Sequence, residues 1–113
     1  MSESDFLKQV VRSVLAGQLK AAADPHRPAW HLAAPVGLLN DPNGFIEHGG
    51  RYHLFYQWNP LGCAHRHKSW GHVSSTDLLH WQHELPALLP IEEYEVSGCY
   101  SGSAVSDAQG RLT

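Results

Sequence analysis

The spacing of hydrophobic residues along the chain changes once, near residue 24. From Ser4 to about Ala23 the apolar positions recur every three or four residues, which predicts an amphipathic α-helix. Serine and acidic residues at its start can cap free N–H groups. Asp24–Pro28 ends the helix because the two prolines there lack a backbone donor and favour extended conformations. The apolar positions of the helix are Phe6, Val10, Val11, Val14 and Leu15.

Helical spacing does not return after residue 28, and short strands are predicted instead. The predicted strands are Phe45–Glu47, Tyr52–Trp58, Trp70–Ser75, Trp81–Leu85 and Ser101–Ser106. His48–Gly50 and Asp107–Gly110 have the composition of hairpin turns. Four strands followed by the opening of another set are typical of one β-propeller blade and part of the next, so we predict an all-β body behind an N-terminal α-helix. Because the chain stops inside the second predicted hairpin, we expect it to be the front part of a longer protein.

Composition and charge exclude several classes of partner. The chain has 113 residues, of which 42% are hydrophobic, and this size predicts one globular domain at most. A net charge of −3 provides no basic surface for nucleic acid. No apolar run approaches the roughly 20 residues that cross a bilayer, so we expect neither a nucleic-acid nor a membrane partner. The N-terminus lacks the pattern of an export signal, which predicts a cytoplasmic protein with Cys63 and Cys99 as reduced thiols.

The segment Gly37–Gly44 is the strongest candidate for chemistry. It predicts a tight, proline-braced turn immediately before a strand, because Pro42 restricts Asp41 to extended geometry and Asn43–Gly44 readily adopts positive φ. A carboxylate whose direction is set by the backbone suits nucleophilic attack, so Asp41 is the candidate catalytic residue. The alternative is an ordinary β-turn without a chemical role.

Aromatic residues crowd the strand region, where they fall at Trp30, Tyr52, Phe55, Tyr56, Trp58, Trp70 and Trp81. Sugars stack their C–H faces on aromatic rings and bind amides and carboxylates, such as Gln57 and Asp41, through their hydroxyls. For Tyr52, Phe55 and Trp81 we favour plain core packing, because aromatic residues at alternating strand positions usually face a core. Gln57 is open between a ligand contact and a structural role, since a buried amide without partners is costly.

Several motifs, taken in order, resemble glycoside hydrolase family 32, the β-fructofuranosidases, a group that includes sucrose-6-phosphate hydrolases and invertases. They are His31–Gly44, Gly50–Pro60, Trp70–His72, Asp77–Trp81 and Gly98–Ala104. The resemblance covers nearly everything after residue 27. We therefore assign residues 1–27 to an N-terminal helix and linker, and residues 28–113 to the N-terminal part of an incomplete propeller domain.

The resemblance implies a fold and a set of site residues. The fold is a five-bladed β-propeller, of which this chain holds the first blade and the start of the second. The activity is hydrolysis of the fructosyl bond of sucrose 6-phosphate or sucrose with retention of configuration, and Asp41 is the nucleophile. The substrate-binding residues carried over from the family are Leu38, Leu39, Asn40, Gln57, Trp70, Tyr100 and Ser101.

A second group of polar residues lies in the loop Cys63–Lys68. Cys63, His65, His67 and the nearby His72 are zinc-type ligands, but their spacing fits no standard zinc pattern. We therefore predict neither a metal nor another cofactor. The alternative is a polar loop on the rim of the active site, where Arg66, His67 or Lys68 could meet a substrate phosphate.

The family's acid/base glutamate lies in a Glu-Cys dipeptide and its transition-state aspartate in an Arg-Asp-Pro motif, and neither occurs in these 113 residues. We therefore expect the chain alone to be inactive and its parent protein to be a hydrolase. Two other classes stay open: a non-catalytic carbohydrate-binding module, and a fructosyltransferase that passes the fructosyl group to another sugar. The sequence does not indicate the oligomeric state.

Overall fold

The N-terminal helix forms as its sequence predicts. The structure is a computed structural model that describes residues 2–113, and α1 spans Glu3–Ala22. The hydroxyl of Ser2 caps the helix by accepting a hydrogen bond from the Asp5 backbone N–H at 3.2 Å, and the first turn is acidic, which suits the positive end of the helix dipole. Its Phe6 and Val10 are buried. No helix of residues 2–113 combines the length and the hydrophobicity needed to cross a membrane.

A four-stranded antiparallel sheet follows the helix. Its strands are β1 Leu38–His48, β2 Arg51–Asn59, β3 Ser69–Ser75 and β4 Gln82–His83, and they pair in sequence order. The predicted turn between the first two strands is confirmed, because Gly49 and Gly50 both have positive φ and join β1 to β2 as a hairpin. A 3₁₀ turn, Glu93–Glu95, lies beyond the sheet.

The predicted turn at Asp41 is wrong, because all of the segment except Gly37 lies inside β1. Two register shifts bend this strand: Asn40 and Asp41 together lie opposite one residue of β2, and Gly44 and Phe45 do the same one step further on. Both shifts are β-bulges, and the positive φ of Gly44 serves the second of them instead of reversing the chain. Pro42 is tolerated because β1 is an edge strand of the sheet, where a missing N–H costs no ladder bond.

The last two predicted strands are also wrong in extent. Instead of Trp81–Leu85, only Gln82–His83 is regular, because Pro86 interrupts the pairing, which resumes as a single bridge between Leu88 and Trp70. Ser101–Ser106 forms no strand in the structure. Within residues 2–113 its backbone pairs only at its end, where Val105 exchanges two hydrogen bonds with Thr113 and Ser106 bridges Leu112, and a strand cannot extend where its other residues have no partner.

The sheet separates two clusters of buried residues. The helix-covered face carries Tyr56, Trp58 and Val73, which pack with Phe6 and Val10 of the helix and with Leu89. The opposite face, here called the site face, carries Phe55 and Trp70, which pack with Cys99. Side chains alternate along β2, so one strand supplies both faces.

Candidate active site

The first β-bulge in β1 sets the direction of the candidate nucleophile. Leu39 pairs with Trp58 and Pro42 with Tyr56, so Asn40 and Asp41 share the space opposite Gln57. Bulges re-aim side chains next to functional sites because the extra residue breaks the alternation of the strand. Asp41 is exposed to solvent, whereas Asn40 is half-buried. The bulge therefore places a carboxylate and a carboxamide side by side at the edge of the sheet.

Gln57 connects the sheet to the segment around Ser101. Its side chain is 5% exposed, and its Nε2 donates to the Cys99 carbonyl at 2.6 Å and to the Ser101 hydroxyl at 3.4 Å. The Ser101 hydroxyl in turn donates to the carboxylate of Asp41 at 3.5 Å. Three of the residues predicted from the sequence thus meet in one hydrogen-bonded chain. These hydrogen bonds satisfy the buried amide of Gln57 and give this residue a structural role. Its contact with a ligand stays a prediction.

Trp70 and Tyr100 also lie together. The indole Nε1 of Trp70 donates to the Tyr100 carbonyl at 2.9 Å, while its ring packs against Phe55 and is almost fully buried. The side chain of Tyr100 is 80% exposed and points away from this core. Trp70 fixes the backbone that leads to Ser101, and the Tyr100 ring is accessible to a ligand.

The two leucines expected at the site lie at the start of β1, just before the bulge. Leu38 pairs with Asn59 at the start of β1, and Leu39 packs against the core of the helix-covered face. Both are half-buried, and they flank the bulge from the N-terminal side.

Lys68 was expected from the sequence only as one of three loop residues that could meet a substrate phosphate, and not among the residues around the fructosyl unit. It is 9% exposed, and its ammonium donates to Oδ1 of Asn40. Burial lowers the pKa of Lys68, and the negative charge of Asp41 opposes that shift. A lysine in the polar loop Cys63–Lys68 is ordinarily solvated, and the sequence offered Lys68 only as a phosphate contact, so its contact with Asn40 is a result of the structure.

The candidate thiols and metal ligands lie elsewhere. Cys63 is exposed and Cys99 is buried, and both are free. Burial, with help from the nearby Glu95, raises the pKa of Cys99 to about 12, so this thiol is uncharged near neutral pH. Within residues 2–113 no three His, Cys, Asp or Glu side chains gather as a metal site. In the same range, no hydrogen bond joins Asp41 to another carboxyl group.

The chain is similar to proteins of one glycoside hydrolase family. Residues 31–113 match the glycosyl hydrolases family 32 N-terminal domain. The chain is 61% identical over all of its 113 residues to the sucrose-6-phosphate hydrolase of Salmonella typhimurium, of which it covers 24%. Over 80 residues, 71% of the chain, it is 55% identical to the raffinose invertase of Escherichia coli, of which it covers 17%. The chain thus spans about a quarter of the length of the first of these curated relatives and less of the second.

Solved structures of the same family share the fold. The sucrose-6-phosphate hydrolase of Lactobacillus gasseri superimposes with a TM-score of 0.79 at 43% identity, over 87% of this chain and 20% of that one. A GH32 β-fructofuranosidase of Bombyx mori, an Asp-to-Ala mutant in complex with sucrose, gives 0.81 at 35% identity, over 95% of this chain and 22% of that one.

Proposed function

The chain belongs to the glycosyl hydrolases of family 32, whose N-terminal domains are five-bladed β-propellers, and from this premise we propose that it carries the nucleophile of a β-fructofuranosidase. Its four-stranded sheet is the first blade, and the segment after Cys99 begins the second. The proposed reaction is hydrolysis of the fructosyl bond of sucrose 6-phosphate or sucrose in the whole protein, meaning the polypeptide that contains these 113 residues.

Asp41 is the proposed nucleophile, and the bulge that aims it is the observation that carries this role. The carboxylate is exposed and lies at the edge of the sheet, and among residues 2–113 it accepts only a long hydrogen bond from Ser101, so its oxygens are accessible to a sugar carbon. A retaining mechanism needs a second carboxyl group about 5 to 5.5 Å away, which protonates the leaving oxygen. We assign that group to the part of the whole protein beyond these 113 residues, because the chain spans 24% of its Salmonella relative.

Around Asp41 the proposed substrate contacts fall into two groups. Asn40, Gln57 and Ser101 offer polar groups to fructosyl hydroxyls, and their hydrogen bonds to Lys68, Cys99 and Asp41 support this role by fixing their directions. Leu38, Trp70 and Tyr100 are the proposed apolar wall, whereas Leu39 packs against the core of the helix-covered face and supports the bulge from that side. Of the three wall residues, the exposed ring of Tyr100 has the strongest support from its position.

The proposed partner is a sugar, because the names of several relatives include one. Sucrose is bound in the Bombyx mori complex, and sucrose 6-phosphate is in the names of the relatives from Salmonella typhimurium and Lactobacillus gasseri. A fructosyltransferase would use the same nucleophile, and a binding module would use the same pocket without turnover. The domain boundary at residue 28 and the cytoplasmic location stay predictions.

The test replaces the nucleophile by its amide. Asp41→Asn in the whole protein should lower kcat by roughly 10³-fold or more, because an amide oxygen cannot form the covalent intermediate. Glu93→Gln, a change at an exposed carboxyl on the 3₁₀ turn, serves as the matched control and should leave kcat unchanged. NMR of the first product that the wild-type protein releases should show retained anomeric configuration. Full activity in Asp41→Asn would refute the proposal, and transfer to a second sugar would favour the transferase.

A further inference from the structure

Lys68 is a buried residue whose ammonium lies near the candidate nucleophile but forms no ion pair with it. The residue is 9% exposed, the negative charge of Asp41 acts on its ammonium, and no ion pair within residues 2–113 involves it. Its ammonium donates instead to the neutral carboxamide of Asn40. A buried charge that is not paired costs stability, so its presence beside a reactive carboxylate indicates a role in the site.

The contact between Lys68 and Asn40 fixes the orientation of the Asn40 carboxamide. A lysine ammonium only donates hydrogen bonds, so it must meet the oxygen of Asn40 and not its N–H₂ group. The N–H₂ group is then directed away from Lys68. Within the described part of the chain, no residue accepts a hydrogen bond from Nδ2 of Asn40. The carboxamide therefore presents a donor that is not used by the protein.

The backbone of the next segment holds Lys68 in this position. The Cys99 N–H donates to the Lys68 carbonyl at 2.8 Å, and Gly98 packs so closely that a Cβ atom there would lie 2.6 Å from Cβ of Lys68. Cys99 also accepts the hydrogen bond from Gln57. The same short segment thus fixes Lys68 on one side and Gln57 on the other.

We propose that Lys68 is a positioning residue that turns the carboxamide of Asn40 so that its N–H₂ group faces the fructosyl unit bound at Asp41. This inference rests on the proposed function and deepens it. The substrate atom recognised is an oxygen with a free lone pair, a hydroxyl or the ring oxygen. With the carboxamide reversed, Asn40 would offer its own oxygen and would repel a ring oxygen, which cannot donate.

A double-mutant cycle in the whole protein tests the coupling. Lys68→Met keeps the length and apolar stem of the side chain and removes the donor, and should lower kcat/KM by about 10- to 100-fold, the worth of one charged hydrogen bond. Lys68→Arg keeps charge and donors and should recover most of that loss. In an Asn40→Ala background, Lys68→Met should change kcat/KM by less than about 3-fold, because the residue on which it acts is gone. An equal loss in both backgrounds would overturn the proposal.

Asn40→Asp keeps the test decisive if Lys68→Met fails to fold. This isosteric change leaves an oxygen for Lys68 to meet, and a carboxylate there pairs with the ammonium, so the folded protein should melt at the same or a higher temperature. It replaces the N–H₂ group by an acceptor, so kcat/KM should fall as far as in Asn40→Ala. Unchanged kcat/KM in Asn40→Asp would show that no donor is needed.

A readout that does not need turnover separates this inference from the proposed function. With selective ¹⁵N-asparagine labelling of the whole protein, the Asn40 side-chain N–H₂ signals should report a rigid amide in the wild type and a mobile one in Lys68→Met. The same rigidity in both proteins would overturn the positioning role even if the enzyme is active. A rigid amide in a protein that does not hydrolyse fructosides would refute the proposed function alone.

Discussion

The two faces of the sheet differ in how they treat polar groups, although one strand supplies both. On the helix-covered face, Tyr56 and Trp58 are surrounded by apolar side chains, and the indole N–H of Trp58 donates to the Val36 carbonyl at 2.8 Å. On the site face the same strand places Phe55 and Gln57, next to the buried polar groups of the candidate site. Alternation along β2 thus separates a face that stabilises the fold from a face that carries chemistry.

The site face also contains buried amides in two different states. The amide of Gln57 is hydrogen-bonded to Cys99 and Ser101. Asn43, which pairs with Phe55 across the strands and is 9% exposed, has no hydrogen-bond partner within residues 2–113 for either of its side-chain polar atoms. A buried polar group without a partner destabilises the fold. The amide of Asn43 therefore lowers the stability of the site face, as polar groups at functional sites often do.

We expect the largest loss of stability from a substitution on the helix-covered face. Trp58→Ala should reduce the free energy of unfolding by about 3 to 5 kcal/mol, because a large buried ring and its hydrogen bond to Val36 are lost together. Trp30→Ala, at a ring that is 70% exposed, is the matched control and should cost under about 1 kcal/mol. Urea denaturation followed by far-UV circular dichroism measures both. Equal losses would show that the helix-covered face is not the core.

A smaller loss is expected where the site face is well paired. Gln57→Leu has nearly the same volume but leaves the Cys99 carbonyl without its donor, and should cost about 1 to 3 kcal/mol in the same denaturation experiment. In the whole protein, kcat/KM should fall as well, because the contact that aligns Ser101 with Asp41 is removed. A variant as stable as the wild type would mean that the amide of Gln57 contributes no net stabilisation.

Asn43→Leu is the matching substitution at the buried amide that has no hydrogen-bond partner within residues 2–113. It removes a buried amide that has no partner, so the free energy of unfolding should change by less than about 1 kcal/mol and could rise. The comparison with Gln57→Leu isolates the effect of hydrogen bonding, since both changes replace a buried amide on one face of one sheet. A loss above about 2 kcal/mol would show that Asn43 is hydrogen-bonded in solution.

The smallest effect concerns pH. Burial, and next the neighbouring His53, lower the pKa of His72, while Glu84 acts in the opposite direction. The unfolded chain therefore binds a proton at His72 at a higher pH than the folded chain does, and stability is lost as pH falls below about 6.5 toward the lower folded pKa. His72→Phe, which keeps a ring stacked on Phe55, should flatten this part of the stability curve. Leu19→Ala, at a side chain that is 79% exposed, removes no titratable group and should leave the shape of the curve unchanged.

Local sequence was sufficient for the elements that depend on near neighbours. The helix and the hairpin at Gly49 and Gly50 follow from spacing, capping and positive φ, which act within a few residues. The bulge at Asp41 did not follow, because a proline and an Asn-Gly pair are equally suited to a turn, and the choice depends on pairing with β2. The short β4 depends in the same way on its distant partner β3.

What the sequence by itself determined is the chemistry available: a carboxylate at Asp41, an amide at Gln57, a hydroxyl at Ser101, and the motifs that place the chain in its family. Only the tertiary structure decided how these groups meet. It put Asn40 and Asp41 opposite Gln57, buried Lys68 against Asn40, and laid the segment after Cys99 across the site face. The physical reason is that hydrogen bonds between residues 28 to 60 positions apart form only after the sheet has brought them together, and no local pattern encodes that distance.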